Sequence, residues 1–326
     1  MRIGSNPEKY KQDKNILKPH RVLVVFYIPD SDADYYNESH TVLDKCLQSL
    51  TQTINPETTN ITVLNNNSSK KVSAVIDKYV HLIDKYVIYS ENRGKVYAVL
   101  NEVRGVFEPF VTITDADILF YNGWEKAVFE TFKQFPLAGV VSPIPLPYMT
   151  FHFNHNVFGF NTLRGKIKYG KYVTDEDINL YIEGTNLPNL INRKSKYNWA
   201  EKQIVIQNNK YIAVVGAYHV VSTYRTEQFR NCYSFPDLKF KNSYEEYFID
   251  YLSEAKGLFR LSTLKTYAYH IGNRIDGVVQ NHDFIPKNRI EKSFFDTIVM
   301  KNKQYKAVVL IRALMGRFFI KFLWNK

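Results

Sequence analysis

The chain has 326 residues, 43 Lys and Arg against 32 Asp and Glu, 45% hydrophobic and 15% aromatic content, and only 14 Gly and 12 Pro. This composition excludes a disordered, collagenous or low-complexity protein, and the length allows one large domain or two modest ones with room for a core. The net charge of +11 is concentrated at one end, since residues 287–326 hold ten bases and two acids while the remainder holds 33 and 30, so the basic tail points to a docking element and away from a nucleic-acid-reading face.

Residues 1–20 are polar and lack the apolar run of a signal peptide, and no stretch reaches about 18 uninterrupted apolar residues, so no membrane span is expected. Residues 21–28 (RVLVVFYI) predict a buried strand, followed by an Asp-rich loop and a helix over 39–50 with Val42, Leu43, Cys46, Leu47 and Leu50 apolar. Further strands are expected at 61–64, 86–89, 110–114 and 138–141, with helices near 72–79, 96–106 and 124–132 between them. Such alternation predicts an α/β fold with a mostly parallel sheet, helices on both faces, and ligands beyond the carboxyl ends of the strands. From 143 to 210 the rhythm is lost, through PIPLP, an aromatic run with histidines at 148–160 and an Asn/Lys-rich stretch; this segment reads as an insertion or variable subdomain. Order returns at 211–224, in a helix over 244–256, and at 264–270. Cys46 and Cys232 are far apart and lack a C-x-x-C spacing, which leaves no disulfide framework or zinc knuckle and suggests a reducing compartment.

The tail is amphipathic. Lys306, Arg317 and Lys321 fall on one side of a helical wheel, and Val308, Ile311, Met315, Phe319 and Phe322 on the other, with Arg312 interrupting the apolar face. An interfacial helix on anionic lipid has this pattern; a helix packed on the domain or on a second subunit is the alternative.

The strongest chemical signal is the run Val111-Thr-Ile-Thr-Asp115-Ala116-Asp117. Two carboxylates one residue apart leave the end of an apolar strand, where both can face one side and share a hard cation. A solvated turn is the bland alternative. Glu91-Asn92-Arg93-Gly94-Lys95 opens a helix, where free N–H groups and the dipole favour an anion.

Taken in order, the first strand, the Asn65-Asn66-Asn67-Ser68 run after the second, the Asn92-Arg93-Gly94-Lys95 segment with Ala98 and Asn101, Asp115-Ala116-Asp117 and Gly123-Trp124 resemble the GT-A glycosyltransferases, specifically the inverting family 2 type. The resemblance covers 21–145 well and 211–273 more loosely. It implies a nucleotide-sugar-binding half at 21–145, an acceptor-binding and catalytic half at 146–286, and the basic tail at 287–326 after the polar lead of 1–20. It also implies a nucleotide-sugar site formed by Asn65, Asn66, Asn92, Arg93, Lys95 and Asp115, and Mn2+ or Mg2+ held by Asp115, Asp117 and His270, the last in the context Tyr269-His270-Ile271-Gly272-Asn273. The nucleotide segment departs from the family's usual Asp-Asp-Gly-Ser, and an Asx-rich turn is its alternative role.

Inverting transfer needs a base for the acceptor hydroxyl. Counting back from Gly257 aligns Glu245-Glu246 with the family's Glu-Asp pair, which makes Glu246 the base and Glu245 the reserve. Adjacent acids at a helix start are otherwise simple dipole partners. His152, His155 and His219 have no comparable context and read as surface, acceptor-side or core residues. The implied activity is hexosyl transfer from a nucleotide-diphosphate sugar, by family preference a UDP-sugar, to a glycan or lipid-linked hydroxyl in bacterial surface-polysaccharide synthesis, with the protein cytoplasmic and peripheral on the inner membrane face. The competing class is a non-catalytic GT-A-like module that binds a glycan or a partner enzyme at the membrane.

Overall fold

The computed structural model describes residues 4–11, 17–186, 198–230, 232, 234–280, 289–300 and 304–324. The strands are β1 His20–Phe26, β2 Thr59–Asn65, β3 Lys85–Ile88, β4 Phe110–Asp115, β5 Ile118–Phe120, β6 Ala138–Ser142, β7 Ile167–Gly170, β8 Gln203–Asn208, β9 Tyr211–Val215, β10 Val221–Arg225, β11 Phe259–Ser262 and β12 Ala268–His270. The helices are α1 Ser39–Thr53, α2 Ser73–Ile76, α3 Lys95–Val103, α4 Trp124–Gln134, α5 His155–Asn161, α6 Asp175–Thr185, α7 Tyr251–Ala255, α8 Gly277–Gln280, α9 Lys292–Asp296 and α10 Lys306–Phe319.

Ten strands form one sheet in the order β3-β2-β1-β4-β10-β6-β11-β9-β8-β7, and β12 pairs with β5 in a separate ribbon. Neighbours β3, β2, β1 and β4 are parallel, as are β6 and β11, while β10, β9 and β7 run against them; seven of the ten strands therefore share one direction. Both faces of the parallel half are covered, as parallel sheets require. Alternate residues of β1 serve different cores: Val22, Val24 and Phe26 join Leu43, Leu47 and Leu50 of α1 and Val128 and Phe132 of α4, whereas Leu23 and Val25 join Val96, Val99, Leu100 and Val103 of α3.

The segment read as irregular holds α5, β7, α6 and β8, and β7 and β8 continue the main sheet. Helix α6 begins at the N-cap Thr174, whose hydroxyl oxygen accepts from the Asp177 N–H at 3.2 Å. Thr174-Asp-Glu-Asp177 is a capping-box variant, a start signal that the hydrophobic rhythm does not carry. The predicted helix over 72–79 is shorter, Ser73–Ile76 after a 3-10 turn.

The tail helix α10 packs on α5. A Cβ on Gly316 would lie 1.8 Å from the His155 carbonyl oxygen, and one on Gly159 would lie 1.9 Å from that of Arg312, so a glycine on each helix permits the close crossing. Arg312, the residue that interrupts the apolar face on the wheel, is buried in this contact with its guanidinium 5.4 Å from the Phe160 ring. Val308, Leu310, Ile311, Leu314, Phe318 and Phe322 remain exposed. Among the described residues no helix is long and apolar enough to cross a membrane.

Candidate active site

Parallel pairing brings the carboxyl ends of three strands together: Phe26 of β1 is in register with Asn65 of β2, and Val25 with Asp115 of β4. This is the edge at which open α/β sheets bind ligands. Asp115 ends β4, Ala116 and Asp117 turn, and β5 begins at Ile118. The β5–β12 ribbon then carries His270 back to Asp117. Ile271 N–H donates to the Asp117 carbonyl at 2.7 Å, and His270 Nε2 lies 3.1 Å from Asp117 Oδ2. Burial alone would lower the His270 pKa, but the hydrogen bond and charge of Asp117 carry it above the ordinary range.

Lys95 occupies the centre. It follows Gly94, whose φ of +80° and the carbonyl of Lys239, 1.9 Å from where a Cβ would sit, both demand glycine. Lys95 Nζ contacts Asp115 Oδ1 at 2.6 Å and Glu245 Oε1 at 3.0 Å. Burial opposes its charge, but the two carboxylates outweigh that and hold its pKa above the usual lysine range. Glu245 is held low in return: burial would raise it, and Lys95 and His219 reverse the sign. Burial and the neighbouring Asp117 push Asp115 up against the pull of Lys95. The site thus retains a demand for positive charge beyond what one ammonium supplies.

The asparagines tie the segment after β2 to the segment before α3. Asn66 Oδ1 accepts from the Arg93 N–H at 3.0 Å, and Asn66 Nδ2 donates to Asn92 Oδ1 at 2.9 Å, an oxygen that also accepts from the Gly94 N–H at 2.9 Å. Asn65 Oδ1 accepts from the Ser68 N–H at 2.6 Å, and its Nδ2 donates to the Tyr86 hydroxyl at 3.1 Å. The Asx-turn role is therefore realised at both Asn65 and Asn92. Arg93, before the N-cap of α3, has Nη1 donating to the Tyr97 hydroxyl of that helix at 3.1 Å and Nη2 lying 3.2 Å from Glu91.

Above these groups lies a cavity of about 430 Å³ with Lys95, Asp115, Asp117, Glu245, Tyr35 and Tyr36 in its wall. The volume suits a small-molecule ligand. Tyr27 and Phe240 also line it, from loops whose aromatics carry no periodic signal in the sequence. Asn65, Asn66, Asn92, Arg93, His270 and Glu246 lie outside its lining. Adjacent helical residues diverge by about 100°, which is why Glu245 reaches Lys95 while Glu246 Oε2 lies 3.4 Å from His152 Nε2.

Among the described residues no three His, Cys, Asp or Glu side chains are gathered closely enough to hold one metal ion together. The donor chemistry nevertheless fits a divalent cation. Asp117 Oδ1 is buried without a hydrogen-bond partner, and two carboxylates with an imidazole form a hard, mixed O/N set. Cys46, close beneath Asp115 with Sγ 3.9 Å from its carbonyl oxygen, is no ligand in practice: burial pushes its thiol up to about 12.

Residues 34–193 match the family model described as Glycosyl transferase family 2. No curated protein matches the sequence. Among solved structures, the chain is similar to TarS 1–349 of S. aureus in complex with UDP-GlcNAc, at 13% identity and a TM-score of 0.48, covering 94% of this chain and 73% of that one. It is also similar to the mannosyltransferase PcManGT from Pyrobaculum calidifontis in complex with GDP-Man and Mn2+, at 12% identity and a TM-score of 0.45, covering 94% and 76%. The family match takes in α1, the strands β2 to β7 and the Asp115–Asp117 turn, and together with this sheet topology it supports a glycosyltransferase of the family 2 type with a GT-A fold.

Proposed function

We propose that the protein is an inverting enzyme that transfers a sugar from a nucleotide-diphosphate donor, a UDP-sugar by family preference, to a hydroxyl of a glycan or lipid-linked acceptor in bacterial surface-polysaccharide synthesis. The observation that carries this reading is the single cavity into which Asp115, Asp117, Lys95 and Glu245 all face at the carboxyl edge of the sheet. Asp115, Asp117 and His270 would hold a Mn2+ or Mg2+ ion. Bound there, the ion would offset charge on the departing diphosphate. Lys95 adds a fixed positive charge on the same side, and the Asn66–Asn92 link orients the loop that leads into its helix. Tyr35 and Tyr36 wall the donor and limit water.

Glu246 takes the proton of the acceptor hydroxyl as its oxygen attacks the anomeric carbon. The bond to the diphosphate breaks on the opposite face, which inverts the centre. The exposed apolar side of α10, flanked by Lys306, Arg317 and Lys321, rests on anionic lipid and keeps the enzyme peripheral on the inner membrane face, where a lipid-linked acceptor is presented.

Titration calorimetry with UDP, GDP and CMP, each with and without Mn2+, tests the donor site. One nucleoside diphosphate should bind in a metal-dependent manner, and an Asp115→Ala/Asp117→Ala variant should lose that binding. Absence of metal-linked binding to any of the three sinks the proposal and favours a non-catalytic binding module.

A further inference from the structure

We propose that His152 is the positioning residue of Glu246, fixing one carboxylate oxygen so that the other meets the acceptor hydroxyl. This rests on Glu246 being the base, and it adds a residue from a segment with no sequence motif of its own.

Three observations meet at this point. His152 Nε2 lies 3.4 Å from Glu246 Oε2, and that nitrogen is buried without a hydrogen-bond partner, so the pair is within reach but not aligned as a hydrogen bond. Bonds of this kind tighten when substrate closes the site. The turn that presents the histidine is held in an unusual shape: Phe153 has a φ of +50°, a left-handed conformation that bulky side chains rarely adopt. Asn154 Nδ2 donates to the Met149 carbonyl at 3.3 Å and the Thr150 carbonyl at 3.1 Å, and His152 N–H donates to Met149 at 3.0 Å, which locks that shape. Such strain persists where surroundings over-determine it, characteristically at active sites. Finally, Glu246 opens a π-helical stretch, Glu246–Asp250, running into α7. The wider π turn is a feature common at functional sites.

The surroundings leave Glu246 as the partner. His152 faces Glu246 and Asp250 of the π turn, Arg260 of β11 and His219 from the connection before β10. Asp250 is engaged by Arg260 through Oδ1, at 2.8 Å from Nη1, and its Oδ2 lies 3.6 Å from His219 Nδ1. Burial, with Arg260 adding to it, lowers the His152 pKa, so at neutral pH the ring is an uncharged donor. A neutral N–H fixes a carboxylate without surrendering a proton to it. Phe153, 4.2 Å from the His152 ring and 5.4 Å from that of Tyr251, adds an aromatic wall on the same side, with Tyr247 at 6.3 Å. In the reaction the acceptor O–H proton moves to Glu246 Oε1. The new C–O bond forms at the anomeric carbon, and the old C–O bond leaves its electron pair on the diphosphate.

The test compares His152→Leu and His152→Gln in the full chain, measuring nucleotide release from UDP-GlcNAc, UDP-glucose and GDP-mannose with water as acceptor. His152→Leu should lower kcat about 10- to 100-fold with the donor KM unchanged, the scale of a misplaced catalytic group. Because a glutamine amide can donate from the same place, His152→Gln should recover most of that loss. Equal loss in both variants, or none in either, overturns the assignment. Ring 15N resonances of His152 supply a readout without turnover: Glu246→Gln should shift them, and unchanged resonances overturn the contact. Absence of release by the unsubstituted enzyme from all three donors overturns instead the transferase reading beneath it.

Discussion

Beneath the acid pair, Asp250 and Arg260 form a charge pair that is almost wholly removed from solvent, 1% and 0% exposed at the side chains. The Tyr224 hydroxyl donates to Asp250 Oδ1 at 3.3 Å, and Arg260 Nη2 donates to the Ala217 carbonyl at 3.0 Å. Burial would raise the Asp250 pKa; Arg260 and His219 outweigh it and hold the carboxyl well below the usual range. A depressed folded-state pKa contributes stability that is complete above the unfolded value of about 3.9 and is lost as pH falls through the folded one. The enzyme should therefore weaken in acid below about pH 4, and Asp250→Asn should flatten that dependence. The same variant, by leaving Arg260 uncompensated, should lose about 3–5 kcal/mol in urea denaturation at neutral pH. A neutral-pH loss near zero would show that the pair is dispensable. Asp115 and Asp117 were legible because a two-residue spacing at a strand end is written in the sequence. The placing of Lys95 between Asp115 and Glu245 was not, since it joins groups 150 positions apart in the chain.

Helix α10 shows how an element divides its duties. Its contact face is set by backbone proximity at Gly316 and by the buried stem of Arg312, and not by the residues with the most apolar side chains. That is why a helical wheel, which weighs only side-chain polarity, grouped Val308 and Ile311 on the apolar side with Arg312 as an interruption, whereas Arg312 is the buried one of the three. The exposed Leu314 and Phe318, 53% and 57% accessible, make few packing contributions to lose. Leu314→Glu with Phe318→Glu should abolish co-sedimentation with vesicles containing anionic lipid while leaving the Tm within about 2 °C, because surface changes away from packed features stay within about ±0.5 kcal/mol. Retained co-sedimentation would assign that face to protein. The region around β7, α6 and β8 escaped hydrophobic periodicity for a related reason: β7 is an edge strand with no fully buried residue, so no apolar alternation marks it.

At the scale of the whole molecule, the strand-helix alternation around β1, β2 and β4 was legible because these strands are buried on both faces and bounded by helices with regular apolar spacing. What could not be read was the order in which distant strands meet. β10, residues Val221–Arg225, lies between β4 and β6, pairing antiparallel with both. A chain emerging from the ribosome consequently reaches Ser142 with a gap in its sheet that only a segment some eighty positions later can fill. Until then two strand edges stay bare, and bare edges invite pairing with other chains. A fragment ending at residue 145 should accordingly be recovered as aggregate, whereas the full chain is recovered as monodisperse protein by size-exclusion chromatography. The segment that closes the sheet also brings His219 Nδ1 to 3.6 Å from Asp250 Oδ2 and the Tyr224 hydroxyl to 3.3 Å from Asp250 Oδ1, so one stretch of chain fills the gap and surrounds the buried carboxylate. Closure of the sheet and completion of the charge pair's surroundings therefore wait on the same late stretch of chain.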